Sequence, residues 1–426
     1  MPITQQPTFQ NPSYADLVDQ AVRHRDENRK SGRTRQLALE AFSEERPYIA
    51  TVVAELHRVN EHISVDERLV SEAVSDYEAI GKQLVQELKW EQDDICVLPQ
   101  GSSSTRTLIK SPSAEKFDID AVCKVILNRH EVWDPIAFFD QFKPALANRK
   151  AIAKNRCWRI EDLNSRYYVE FTPSVPMKLI PANLLSLDRQ LTLTRYSNSA
   201  LAVVDRQTKK WKPSNPEGMT QWVDDQSKRK LVQIVFREAV AMEKIAGVEP
   251  VPDQSVPLSD TLRVAIRLFK RHRDMMVDRG ELLPETKPIS ILIVTLLTQC
   301  YEGLADKGKT YQNHIELLSD LVDLMPYMVE IREGMWWVEN PTVSGENFAE
   351  RWNTDSGERK RALDQWCMQL QADLLGILQA EDKATLAERV RRAFGTTSAS
   401  VPNPPKGLAS KAPSSVIFQP ATQGLA

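Results

Sequence analysis

In the early part of this chain the apolar positions recur every three or four residues, and the period then drops to two. Leu37, Ala41, Ile49, Val52, Val53 and Leu56 form a helical stripe broken at Pro47, and Leu69, Ala73, Tyr77, Ile80, Leu84 and Leu88 form a cleaner one. Ser64 and Glu67 stand before the second stripe at the S-x-x-E spacing of a capping box, which predicts a helix start there and helices bracing a sheet. Residues 95–98 read as a short strand, 117–127 as a second and 167–172 as a third, closed by Pro173 and Pro176. Residues 156–160 and 191–205 read as further extended stretches, and the run from Trp211 to Gly218 as a turn-rich crossing. The helical period returns after a Pro-rich passage at 248–257. Ser259 and Asp260 cap a helix with Leu262, Ile266 and Phe269 on its apolar face. More helices follow over 289–301, 310–324, 346–352 and 357–378, with a last one ending at Phe394.

The second strand carries the chemistry. In Phe117-Asp118-Ile119-Asp120-Ala121-Val122 the aspartates alternate with apolar residues, so Asp118 and Asp120 lie side by side on one face. Adjacent carboxylates repel unless a cation lies between them, and paired oxygens from one strand suit Mg²⁺, which shares its shell with substrate phosphates. Upstream, Gly101 and Ser102 form a turn whose backbone N–H groups can approach a phosphate, because glycine has no Cβ. Glu170 sits among Tyr167, Tyr168, Val169 and Phe171, a poor setting for a solvated charge, and is the candidate third carboxylate. The plainer alternative puts it on the solvent face of an amphipathic strand. Lys270, Arg271 and Arg273, near the C-terminal end of the helix that starts at 261, read on their own as solvated cations favoured by the helix dipole.

Composition narrows the class. The 426 residues exceed one ordinary domain, and 42% hydrophobic residues are enough for real cores. A net charge of −3 argues against a long nucleic acid as substrate, with only the basic runs at 23–35 and 270–274 against that view. Five scattered cysteines without C-x-x-C spacing point to a reducing cytosol, and no signal peptide or bilayer-length apolar run is present, so a cytoplasmic protein without membrane contact is expected. From Gly395 onward Ser, Pro, Ala, Thr and Gly dominate, which predicts a flexible tail ending Gly424-Leu425-Ala426.

Gly-Ser followed by D-x-D and a later carboxylate resembles the DNA polymerase beta-like nucleotidyltransferase superfamily. The segments VEFTPSVP, WKPSNPEGM, LRVAIRLFKRHRD with KPISILIVTLL, and NPTVSGENFAERWN are similar to the bacterial cGAS/DncV-like nucleotidyltransferases, or CD-NTases, of CBASS anti-phage defence, over about residues 60–395. The resemblance implies an α+β, two-lobed fold: a polymerase beta-like core with a mixed sheet braced by long N-terminal helices, plus a helical C-terminal lobe. The division expected is a flexible 1–13, a catalytic lobe over 14–250, a helical lobe over 251–394 and a disordered tail over 395–426. The implied activity is synthesis of a cyclic di- or trinucleotide messenger from nucleoside triphosphates, ATP among them, read by a downstream effector. By resemblance, Asp118, Asp120 and Glu170 are catalytic and hold two Mg²⁺. Gly101, Ser102, Thr107, Lys270 and, as a weaker candidate, Ser290 bind the nucleotide. The family usually has aspartate where this chain has Glu170, a departure that makes Mn²⁺ an alternative to Mg²⁺. It also implies a ubiquitin-transfer-like partner conjugating Ala426. The competing readings are an RNA-tailing or other template-independent nucleotidyltransferase, and a catalytically weak nucleotide-binding protein acting through its tail.

Overall fold

The computed structural model describes residues 13–27, 46–112, 116–126, 133–161, 166–184, 195–232 and 254–395. Leu37 and Ala41 of the first stripe, most of the basic run at 23–35, residues 191–194 and 248–253, and the tail with Ala426 lie outside the described residues.

The period-2 segments pair into one sheet. Its strands are β1 (Ile95–Gln100), β2 (Phe117–Val125), β3 (Ile152–Ala153), β4 (Trp158–Ile160), β5 (Tyr167–Pro176), β6 (Leu201–Asp205) and β7 (Lys210–Ser214). They run in the order β1-β2-β5-β4-β3, with β6 joining the end of β5 and β7 joining β6. Only β2 and β5 are parallel, so the sheet is mixed. β5 is the hinge of the layout: its first part lies between β2 and β4, and its last three residues pair with β6.

The helix Glu67–Leu88 covers the sheet, burying Val70, Ala73, Tyr77, Ile80 and Leu84 in one core with Ile119, Val169, Phe171 and Trp211. Its cap is Asp66, which accepts from the Arg68 N–H at 2.9 Å, and not the predicted Ser64. Ser64 is committed to the preceding helix, donating to the Asn60 carbonyl at 2.9 Å. The other two N-terminal helices do not brace the sheet. Leu17, Val18 and Ala21 of Tyr14–Glu27, and Val52, Leu56 and Val59 of Arg46–His62, share a second core with Leu262, Ile266, Phe269, Leu296 and Trp366. Gly303 admits the backbone of the first helix so closely that a Cβ there would lie 2.4 Å from the Tyr14 carbonyl oxygen.

That second core is helical: Thr261–Asp278, Ser290–Asp306, His314–Leu324, Glu358–Leu378 and Lys383–Phe394 build it, close to the helical segments read from the sequence. Two readings need correction. The run from Trp211 is strand β7 followed by a helix, Pro216–Ser227: Asn215 accepts from the Gly218 N–H at 3.0 Å as N-cap, and Pro216 takes the first helical position. The expected helix over 346–352 is only a 3₁₀ turn, Glu350–Asn353. Asn347 prevents a longer one, since its side chain takes the N–H groups of Val338 and Ala349 and donates to the Trp336 carbonyl. Within the described part of 191–205, a 3₁₀ turn at Ser197–Ser199 precedes β6. Among the described residues no helix is long and apolar enough to cross a membrane.

Candidate active site

At the end of β1 the chain turns into a single helical turn, Gly101–Ser104, set against β2. Gly101 has φ +66°, and a Cβ there would lie 2.3 Å from Asp120 Oδ2, so both backbone conformation and space demand glycine. Carbonyls of the turn and of the residues after it are bonded within the protein. Gly101 O accepts from Thr105 Oγ1 at 2.8 Å and Ser102 O from the Thr107 N–H at 2.8 Å. Ser103 O accepts from Gln254 Nε2 at 2.9 Å, Thr105 O from Arg263 Nε at 2.8 Å, and Thr107 O from Lys270 Nζ at 2.8 Å. Carbonyls held inward turn the positive ends of the peptide dipoles the other way, the arrangement that attracts a phosphate.

Three of those anchors come from one helix and its approach. On Thr261–Asp278, Arg263 and Lys270 hold the turn, and Arg271 holds the Lys110 carbonyl at 3.1 Å. Lys270 Nζ also donates to Ser102 Oγ at 2.8 Å, which brings together Ser102, Thr107 and Lys270, residues grouped above only by the family resemblance. Reading these cations as solvated fails: Lys270, Arg271 and Arg273 are 3%, 4% and 5% exposed. Loop and helix-end carbonyls replace water for them, Phe394 O for Arg271 and Pro288 O for Arg273, both at 2.9 Å. Burial, and then the neighbouring Arg273, pushes the Lys270 amine down to about 7.

The strand register sets Asp118 opposite Tyr168 and Asp120 opposite Glu170, so the pairing inferred for the third carboxylate is present. Burial first, then Asp118 and Glu170, drive the Asp120 carboxyl well above the usual carboxylate range. On the other side of β5, Arg159 of β4 stands opposite Glu170. Its Nε and one terminal nitrogen donate to Glu170 Oε1 at 3.0 and 2.6 Å, and Cys157 Sγ lies 3.5 Å from Oε2. The guanidinium lies 4.1 Å over the Tyr168 ring. Burial, and then Glu170, holds the Cys157 thiol above its ordinary range, so it is protonated and donates. Burial, and then Asp118, pushes Tyr168 up to about 12.

Thr107 is fully buried, with Oγ1 2.9 Å from Thr105 Oγ1, and serves the turn through its carbonyl. Ser290 heads the Ser290–Asp306 helix and accepts from Arg273 at 3.3 Å; no hydrogen bond described for it reaches the Gly-Ser turn. Among the described residues no three His, Cys, Asp or Glu side chains converge as ready metal ligands. The donor set nevertheless fits a divalent cation. Carboxylate oxygens are what Mg²⁺ takes, and the repulsion focused on Asp120 is what a cation relieves. Glu170, the third member of the set, is bonded to Arg159 through Oε1. A cavity of about 550 Å³ behind the turn is lined by Ser104, Arg106, Thr220, Asp224 and Arg263 among others, but by none of the three carboxylates, so it is not the reaction cleft.

Reasoning from sequence missed Arg159, Cys157 and Arg263. The available signal for Arg159 was its place between Trp158 and Ile160, where a lone charge on an apolar strand asks for a partner.

No family model matches this chain. A curated relative, the c-di-GMP synthase of Roseivirga ehrenbergii, is 24% identical over 314 residues, covering 70% of this chain and 72% of the relative. The structure of the Bradyrhizobium diazoefficiens CD-NTase CdnG in complex with GTP is similar with a TM-score of 0.56 at 18% identity, covering 81% of this chain and 95% of that one. E. coli MS115-1 CdnC with ATP gives a TM-score of 0.53 at 11% identity, covering 80% of this chain and 97% of that one.

Proposed function

We propose that this chain, which has the CD-NTase fold, joins nucleoside triphosphates into a cyclic di- or trinucleotide with release of pyrophosphate, as a signal in anti-phage defence. The observation that carries this reading is the Gly101 contact: a phosphate-type turn is locked against Asp120, on the strand whose register puts that carboxylate opposite Glu170. The similarity to a c-di-GMP synthase makes GTP, beside ATP, a first substrate to test.

In each joining step a ribose hydroxyl oxygen bonds to the α-phosphorus of the next nucleotide, the α–β phosphoanhydride breaks, and the hydroxyl proton is lost. Two Mg²⁺ or Mn²⁺ held by Asp118, Asp120 and Glu170 would supply the positive charge that acidifies the hydroxyl and offsets the charge of pyrophosphate. The chain's own part is placement. Gly101 and Ser102 would present N–H groups to the triphosphate, Lys270 supports Ser102 from beneath and contributes charge, and Glu170 would take the acceptor hydroxyl's proton or hold the first cation. A cytoplasmic location, a catalytic lobe over 14–250 and a helical lobe over 251–394 go with this reading, with the Tyr14–Glu27 and Arg46–His62 helices packed on the helical lobe. So does conjugation at Ala426, for which loss of a protein adduct on removing Leu425 and Ala426 is the test.

The experiment is incubation of the protein with all four labelled triphosphates and Mg²⁺ or Mn²⁺, then phosphatase treatment and mass determination of what resists. A resistant cyclic product, absent from the Asp118→Asn/Asp120→Asn protein, is expected. Elongated RNA, or bound nucleotide without pyrophosphate release under either metal, would replace this reading with one of its rivals.

A further inference from the structure

We infer that Arg159 is a positioning residue, a latch that parks Glu170 away from Asp118 and Asp120 until nucleotide and cation arrive, so that substrate assembles the carboxylate set. The inference rests on the metal-site reading proposed above.

Glu170 stands in the middle of three strands, with Asp120 across from it on β2 and Arg159 across from it on β4. The same carboxylate can therefore serve a cation on one side or the guanidinium on the other. In this structure it serves Arg159: both donors converge on Oε1 at 3.0 and 2.6 Å, and the Cys157 thiol approaches Oε2 at 3.5 Å.

The arginine is the fixed member of the pair. Its guanidinium rests on Tyr168 at 4.1 Å, a contact that does not depend on Glu170. Glu170 has one more rotatable bond than the aspartate usual in the resembled family, and 23% of its side chain is exposed, so the carboxylate is not sealed in. The longer residue can thus turn about its own χ angles while β4 stays still. Parking also has an electrostatic rationale: without a cation, a negative charge drawn toward Arg159 is partly screened from Asp118 and Asp120.

The test is a Mn²⁺ titration of the full chain without nucleotide, following the free-ion EPR signal. The proteins compared are wild type, Arg159→Gln, Glu170→Gln and the double variant, each checked for a cooperative melt. The latch predicts that Arg159→Gln binds Mn²⁺ about tenfold tighter than wild type, the scale seen when groups orienting a metal ligand are altered. It also predicts no comparable gain from Arg159→Gln on the Glu170→Gln background. An unchanged affinity in Arg159→Gln overturns the proposal. So does an equal gain on both backgrounds, which would show only the loss of a nearby positive charge. Should Arg159→Gln fail to melt cooperatively, Arg159→Lys keeps the charge and loses the two-donor grip, and a gain of about threefold that needs Glu170 is expected; no gain overturns the latch. Failure of the metal site itself looks different: no protein lowers the free-ion signal beyond what GTP or ATP alone does.

Discussion

The Gly-Ser turn is tied down at the carbonyls of Gly101, Ser102, Ser103, Thr105 and Thr107, largely by buried groups around one helix, whereas the third carboxylate hangs on an arginine from a strand of three residues. The turn is closely held: there is no room for a Cβ between Gly101 and Asp120, and Lys270 is bonded to both Ser102 and Thr107. Glu170 lies between Asp120 on one strand and Arg159 on the other and is bonded on the Arg159 side. On the proposed reading, the half that would receive the triphosphate is preorganised and the half that would receive the cation adjusts, so binding would come before assembly.

Several substitutions would break or sharpen that contrast. Gly101→Ala strikes both halves at once, forcing a side chain into the Asp120 carboxylate at a backbone angle alanine disfavours. Pyrophosphate release should fall roughly hundredfold or more, because small displacements at a reacting centre have that effect. Wild-type rates from this variant would mean that the turn is not rigid.

Lys270→Met removes the charge beneath the turn and keeps most of its volume. With a charge-assisted hydrogen bond worth about 1.5–3 kcal/mol, nucleotide Kd by calorimetry should rise about ten- to a hundredfold, while the melt changes little.

The same lysine sets a pH dependence. Burial, and then Arg273, lowers it to about 7 in the fold from 10.5. Between those values the unfolded chain binds more protons, so Lys270's contribution to stability rises with pH across the window and is least favourable below 7. Nucleotide binding runs the other way, since only the ammonium attracts phosphate. Affinity should drop several-fold from pH 6.5 to 8.5 in wild type, and that drop should be absent from Lys270→Met. The smallest effect belongs to Cys157→Ser, which preserves a donor toward Glu170 Oε2 and should alter Mn²⁺ affinity by less than about twofold.

Where local chemistry suffices, the sequence told the story. Asp118, Asp120 and Glu170 were legible because period-2 alternation fixes which residues share a face, and strand pairing then did the rest. Lys270 showed as basic, but its burial did not: nothing in KRHRD tells that the carbonyls of a loop far upstream will replace water. Arg159 escaped because a three-residue strand carries too little pattern to reveal its register. The Tyr14–Glu27 and Arg46–His62 helices show the general limit. A 3.6-residue stripe says that a face is covered, but not by what.

The placement of that first helix has a consequence for synthesis. Arg25 donates to Asp320 at 3.2 Å across 295 positions, and its neighbours Leu17, Val18 and Ala21 bury themselves against helices made late. At ordinary translation speeds these apolar residues leave the ribosome roughly 15 to 60 seconds before their partners exist. Through that interval the nascent chain carries an uncovered sticky face. Its safe delivery depends on whatever shields it until the Ser290–Asp306 helix emerges, and a truncation before Ser290 would leave the face exposed for good.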